Sequence, residues 1–418
     1  MASKMLIGDM PELMENIFKH LNNDIYSLYS TVPLITLTFK LFLESGAILH
    51  EFCLHNSEFF KFELELLEQN VQFYSRLQHL SLDLISNFGI ENIAKFLRIL
   101  AKNNTKISAL RLLFCSNYAN SIHTLFPALI HFIKSQEQLR KLILDVDDCT
   151  EFYGIISALE SQKNTLQEVI LYDCVFSAEF EVLNNCKNLD TLRILDCDIE
   201  LLKILDYKIS TLEISYSQID VPIIVQILEK IGILLQRLKV VTRTVIREES
   251  LLLEVLKSFC PNIIYLYITD IGLSTQLIEL IGNLRKLQFL SLGYAYHIPS
   301  IPKEEREIRV MQFAKILPST LQYLDIALNT GLCIPGTLLD SFIGILLDYC
   351  NAPLKKLLIN SVNLNYEKNT KALIRYCTRI RTLSYVGIVK NYDLCYDIRN
   401  ELEKYVTLAP YKHIVINC

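Results

Sequence analysis

Apolar side chains recur along this chain in one motif: an apolar residue, two variable ones, an apolar residue, one variable, and an apolar residue. "LQHLSL" opens at Leu77, "LRKLIL" at Leu139, "LQEVIL" at Leu166 and "LDTLRI" at Leu189. "ISTLEI" opens at Ile209, "LQRLKV" at Leu235, "IIYLYI" at Ile263 and "LQFLSL" at Leu287. "LQYLDI" follows at Leu321, "LKKLLI" at Leu354 and "IRTLSY" at Ile380, with weaker copies at Leu49, Ile107 and Tyr411. Alternation inside each motif predicts a short strand with every second side chain turned inward. Between motifs the period becomes helical, as in Glu248 to Phe259, where Leu252, Val255, Leu256 and Phe259 share one side.

The first residues differ. Leu13, Ile17 and Leu21 recur every four positions, and Met14 and Phe18 widen the stripe. Asp9 can cap this helix, whose first turn holds Pro11 and Glu12; Asn22 and Asn23 stop it, and Asp24 can cap a second carrying Ile25, Leu28, Tyr29 and Val32.

The fourteen motif openings lie 20 to 34 residues apart, within or near the leucine-rich-repeat range. No single unit can bury its apolar face, so neighbours must stack, with strands lining the concave side. Full burial of one Leu is worth about 1.5–3 kcal/mol, and each strand offers three such positions. The expected fold is an α/β leucine-rich-repeat solenoid of about fourteen units over 33–418, preceded by a short helical segment at 1–32.

Composition narrows the function classes. With 51% hydrophobic and 21% charged residues in 418, the chain reads as globular. A net charge of −5 and a pI near 6.0 argue against nucleic acid or an anionic membrane as the general partner. The apolar stretch Val221 to Leu238 is interrupted by Gln226, Glu229, Lys230 and Gln236 and should not span a bilayer. Twelve cysteines occur without a C-x-x-C pair or a signal-like apolar run, so a reducing compartment, cytoplasmic or nuclear, is expected. Cys115, Cys174 and Cys197 sit three residues after the last apolar strand position, where Asn329 also falls. Cys186, Cys260, Cys350 and Cys377 precede strand openings by three or four residues. These read as small buried residues of the ladder rather than metal or redox groups.

Candidate chemistry is sparse. Twelve glycines form no phosphate-binding loop. His50 and His55 are wrongly spaced for a metal pair on one helical face, and Asp147 and Asp148 lack the Gly and Glu that complete a calcium loop. No nucleophile, base and orienting group assemble in the sequence. The expectation is a non-enzyme without metal or cofactor, although residues gathered across repeats could still build a site.

"MPELMENIFKHL", Met10 to Leu21, resembles the first half of an F-box. With "YSLYS", "FKLFLESG" and "VLKSFCPNI", the whole chain is similar to an expanded fungal set of F-box proteins with leucine-rich repeats. An F-box ahead of such repeats is the layout of substrate receptors in cullin-RING ubiquitin ligases. The resemblance implies that Pro11, Leu13, Ile17, Phe18 and Leu21 contact the F-box-binding adaptor, while the repeats hold a protein substrate. The chain departs from the family after Val32: Pro33 follows, no Trp occurs anywhere, and the module's second half is missing. Pro33 also biases Val32 away from helix. An interaction scaffold whose leader merely caps the repeats is the alternative reading.

The variable strand positions point outward. One runs Arg237, Tyr265, Phe289 and Tyr323 through consecutive repeats, and the next adds Lys239 and Tyr267. Elsewhere these columns hold Thr191, Thr211, Ser291 and Ser384. The expectation is one aromatic patch with a basic edge that binds an acidic and apolar protein segment. The competing expectation is that the rings stack on each other and only cover the sheet.

Overall fold

The computed structural model describes residues 48–54, 68–84, 90–114, 122–146, 152, 154–204, 208–216, 218–294, 302–326, 342–360, 367–389 and 395–410. Pro11, Leu13, Ile17, Phe18, Leu21 and the rest of the helical leader lie outside the described residues, as do His55, Cys115, Asp147, Asp148 and Asn329. The chain forms two compact units that divide between Leu189 and Asp190.

The first unit runs β1 (Glu51–Leu54), α1 (Val71–Tyr74), β2 (His79–Leu84), α2 (Ile90–Asn103), β3 (Ala109–Phe114), α3 (Ile122–Ser135), β4 (Lys141–Val146) and β5 (Glu168–Tyr172). Two 3₁₀ segments, Ser157–Gln162 and Ala178–Asn185, replace helices around β5. Its strands pair in parallel and in chain order, which sets Phe52, Leu80, Leu110, Leu142 and Val169 in one inward row. Leu54, Leu82, Leu112, Leu144 and Leu171 form the next. From β2 onward both rows are buried, so the apolar alternation of the sequence becomes continuous core.

The second unit begins with β6 (Thr191–Leu195), a 3₁₀ segment (Ile199–Ile204), β7 (Thr211–Tyr216), α4 (Val221–Ile231), β8 (Arg237–Thr242) and α5 (Glu249–Phe259). It continues with β9 (Tyr265–Ile271), α6 (Thr275–Asn283), β10 (Phe289–Tyr294), α7 (Lys303–Ile316), β11 (Tyr323–Asp325) and α8 (Ile343–Tyr349). β12 (Lys356–Asn360), α9 (Glu367–Arg379), β13 (Tyr385–Val389), α10 (Tyr396–Leu402) and β14 (Thr407–Pro410) complete it. Local chemistry starts these helices: Asp220 accepts from the Ile223 N–H at the head of α4, and Ser274 accepts from Leu277 at the head of α6. Leu192, Leu212, Leu238, Leu266, Leu290, Leu324, Leu357 and Val386 form its main inward row, all buried. Parallel strands joined by outer helices, repeated at leucine-rich-repeat spacing, make this an α/β fold of the leucine-rich-repeat class.

Turns and corners are specified by single residues. Asp173 and Asp196, just beyond their strands, and Asp270, near the end of β9 where its register with β10 shifts, take the left-handed region, with φ of 52°, 53° and 54°, a conformation that aspartate tolerates better than most residues. The following Cys174 and Cys197 are buried and donate their S–H groups to the carbonyls of Tyr172 (3.3 Å) and Leu195 (3.4 Å). Where helix returns to strand, the first unit carries buried amides. Asn104 Nδ2 donates to the carbonyls of Tyr74 (2.7 Å) and Leu77 (3.0 Å). Gln136 Nε2 donates to Asn104 O (3.1 Å), while its Oε1 accepts from the Ile107 N–H (3.1 Å). Gln162 Nε2 donates to the carbonyls of Ile133 (2.9 Å) and Gln136 (2.7 Å). At the same corner, Cys186, Cys260 and Cys350 are buried thiols.

Four details differ from the sequence expectation. The thirteenth repeat opens at Leu383 rather than Ile380, because β13 pairs Tyr385 with Lys356 and Val386 with Leu357. This frame buries Leu383 and Val386 and turns Tyr385 outward, so Ser384 does not occupy the predicted column. Cys377 consequently lies within α9, buried, six residues before its repeat opens. The final strand, Thr407–Pro410, precedes the opening expected at Tyr411. Phe259, assigned to the buried side of α5, is 41% exposed, whereas Leu252, Val255 and Leu256 are buried.

Candidate partner-binding face

The strand face turned away from the helices of the second unit is built by register alone. Because the strands pair in register through their motif positions, and β9 and β10 shift only beyond Leu292, residue types at one motif position line up across it. Thr191, Thr211, Arg237, Tyr265, Phe289, Tyr323, Lys356, Tyr385 and Thr407 are successive Cα partners in a single column. The neighbouring column runs Arg193, Glu213, Lys239, Tyr267, Ser291, Asp325, Leu358 and Gly387.

All six residues singled out in the sequence therefore sit side by side. The Tyr265 and Phe289 ring centroids are 6.2 Å apart, and those of Phe289 and Tyr323 are 6.0 Å apart, both tilted. Such pairs contribute about 0.5–1.5 kcal/mol beyond area burial. The Arg237 guanidinium lies 4.9 Å from the Tyr265 centroid, and Lys239 Nζ lies 5.2 Å from that of Tyr267. These are cation–π distances.

Burial divides the six. Tyr265 and Tyr323 are each 3% exposed and form a floor, with Arg237, Tyr267 and Phe289 half-buried above or beside it. The stacking expected of rings that cover a sheet is present, and so is an accessible rim. The basic edge is narrower than the sequence suggested. Lys239 Nζ is 2.6 Å from Glu213, whose other oxygen is 3.2 Å from Arg193 Nη1. Glu213 is buried between these two cations and balances much of their charge. Ser291 Oγ donates to Asp325 at 3.0 Å, which fills the column beside the rings with a buried polar pair.

Two members escaped the sequence reading. Lys356 occupies the second variable place of "LKKLLI" and could have been aligned from that motif. It is half-buried, and among the described residues no carboxylate lies within ion-pair distance of it. Tyr385, 43% exposed, was hidden by the alternative frame at Ile380. With them the accessible rim runs Arg237, Phe289, Lys356, Tyr385.

No family model matches this chain, and no curated protein matches its sequence. Among solved structures, a chain of the Rad7–Elc1 complex of yeast aligns over 97% of this chain and 99% of its own, at 12% identity and a TM-score of 0.43. The leucine-rich-repeat-containing protein LegL7 from Legionella pneumophila aligns over 72% of this chain and 98% of its own, at 12% identity and a TM-score of 0.42.

Chemically, the rim can stack on apolar groups and attract anions. The corner thiols are poor candidates for reactivity, since burial pushes Cys260 up to about 12 and Cys186 and Cys350 up to about 11. Among the described residues no three His, Cys, Asp or Glu side chains cluster as a metal would require, and no helix is long and apolar enough to cross a membrane.

Proposed function

We propose that this chain is a substrate receptor of a cullin-RING ubiquitin ligase, holding a protein partner on the outward strand face of its second unit. The observation that carries partner capture is the stacked column from Arg237 to Tyr385, because aromatics and Arg are the residues enriched in binding hot spots. Ligase docking rests on the F-box resemblance of Met10 to Leu21, with Pro11, Leu13, Ile17, Phe18 and Leu21 as the adaptor contacts.

The sequence resembles only the first half of an F-box, so adaptor affinity is expected to fall well below that of an intact module. Titration calorimetry of the purified chain with the adaptor measures this, and intact-like affinity would refute it. A double Leu13→Asp, Ile17→Asp variant places charges in an apolar contact and abolishes the remaining binding. The second reading, a scaffold without ligase association, is favoured by Pro33 and the absence of Trp. No adaptor in co-purification, together with lowered repeat stability in the double variant, decides for that reading.

A further inference from the structure

Where the helices of the second unit hand the chain back to strands, apolar side chains stand in the open. Ile233 and Leu234, just past α4, are 59% and 47% exposed. Phe259, Ile316 and Tyr349 are the last residues of α5, α7 and α8, and all three are exposed. Contacts run from one corner to the next. A Cβ on Gly232 would come within 2.7 Å of the Phe259 carbonyl oxygen, and Asn262 Nδ2 donates to Ile233 O at 2.7 Å. Lys286 Nζ donates to Asn262 Oδ1 at 2.7 Å. Ile316 packs on Gly282, where an added Cβ would lie 2.5 Å from its Cδ1, and Thr320 Oγ1 donates to Arg285 O at 3.0 Å. Lys315 Nζ lies 5.2 Å from the Tyr349 centroid, which joins α7 to α8. The exposed apolar residues therefore form one row along the helix ends, and contiguous apolar surface, unlike single scattered residues, marks an interaction site.

The charge of this row is one-sided. Across the connections 231–236, 259–264, 283–288, 316–322 and 349–355 no Asp or Glu occurs, whereas Arg285, Lys286 and Lys355 do, all exposed. Lys315 adds a cation from the last turn of α7. Among the described residues none of these cations lies within ion-pair distance of a carboxylate. Glu279 of α6 and Asp348 of α8, shortly before their helix ends, are engaged, at 3.0 Å from Lys257 and 2.7 Å from Arg375. Glu229 and Glu254 lie back along α4 and α5, at the apolar end of the row. A second copy of this chain would set like charges against like, and the net charge of −5 repels an extended anionic surface. A short acidic segment meets the local cations alone, since screening confines their reach to about 8–10 Å.

We propose that the helix-to-strand corner of the second unit docks an acidic, amphipathic segment of a partner protein. Its apolar side chains cover Phe259, Ile316 and Tyr349, and its carboxylates meet Arg285, Lys286, Lys315 and Lys355. This surface shares no residue with the outward strand face and stands or falls independently of it.

Fluorescence anisotropy with the full chain tests the proposal, using a labelled synthetic peptide of about twenty residues with Leu and Phe on one helical face and Glu on the other. Arg285→Glu, Lys355→Glu weakens its binding at least about ten-fold and creates binding to the same peptide with lysine in place of glutamate. The milder Arg285→Gln, Lys355→Gln pair weakens it about three-fold and serves if circular dichroism shows that charge reversal disturbs the fold. Phe259→Ser, Ile316→Ser also weakens it about ten-fold, which attraction between charges alone would not give. No binding up to about 1 mM, or equal binding by the wild type and the folded variants, overturns the proposal. Two other occupants would overturn it as well. Phosphatidylserine vesicles that bind through these residues, while the peptide does not, make the corner a membrane contact. A concentration-dependent dimer in sedimentation that Phe259→Ser, Ile316→Ser dissolves, with no peptide binding, makes it a self-interface.

Discussion

In the first unit, outward strand residues neutralise one another. Lys141 Nζ is 2.8 Å from Glu168, and Arg111 is 3.6 Å from Asp145. In the second, ring follows ring from Tyr265 to Tyr323, with a guanidinium laid over the first. Beneath both faces lie the same rows of buried Leu, Ile and Val, so the difference is one of display rather than scaffold. The inward rows supply the hydrophobic driving force, whereas exposed ion pairs contribute only about 0–1 kcal/mol. Outward residues can therefore differ between units with little effect on the ladder. The corners differ too: the first unit carries hydrogen-bonded amides at Asn104, Gln136 and Gln162 before a corner thiol, Cys186, and the second carries buried thiols at Cys260 and Cys350.

The strongest challenge to this comparison is Tyr323→Ala. It removes a 3%-exposed ring stacked on Phe289 and is expected to cost about 3 kcal/mol in urea denaturation. A cost below about 1 kcal/mol would make the aromatic floor mere surface decoration. At the corners, Gln136→Leu leaves the Ile107 N–H and the Asn104 carbonyl without this partner, for about 2 kcal/mol and lost hydrogen-exchange protection at Ile107. Cys260→Ala, which deletes one small buried atom, should cost about 1 kcal/mol; equal losses would erase the amide–thiol distinction.

A pH experiment sharpens the second unit's side. Desolvation raises the Asp270 pKa above its ordinary 3.8, so the folded chain holds that proton more tightly than the unfolded chain. Its contribution to stability is therefore present at low pH and is lost as pH rises through the folded value. Asp270→Asn keeps a side chain that tolerates the left-handed turn. It should raise neutral-pH stability by about 0.5 kcal/mol, with the gain vanishing in acid; a pH-independent gain would contradict this. Smallest of all is Lys141→Ala, expected to change stability by about 0.5 kcal/mol or less and to fade further in salt.

Much of the ladder was legible because strand alternation is local. From Leu77 to Leu354 the motif openings sit where the inward rows require them. At Ile380 two overlapping frames satisfied the same pattern, and only pairing of Tyr385 with Lys356 chose between them. The column from Arg237 to Tyr323 was visible for the same local reason. Its burial was not, since the covering of Tyr265 depends on the path taken by the Arg237 side chain. Lys239 looked like an open cation until the β7–β8 register brought Glu213 beside it. The roles of Asn104, Gln136 and Gln162 were not legible, because an amide's partner carbonyls cannot be read from its own neighbourhood in sequence.

Parallel pairing in chain order also has a genealogical consequence. Duplicating or deleting one repeat between β8 and β12 moves Arg237 and Lys356 apart or together by one strand step of about 4.8 Å. The leucine rows remain continuous, because each repeat presents the same inward pattern to its neighbours. The spacing of outward side chains in such a ladder changes in quanta of one strand step, so a single unequal crossover could rearrange the outward face without inventing a new side chain.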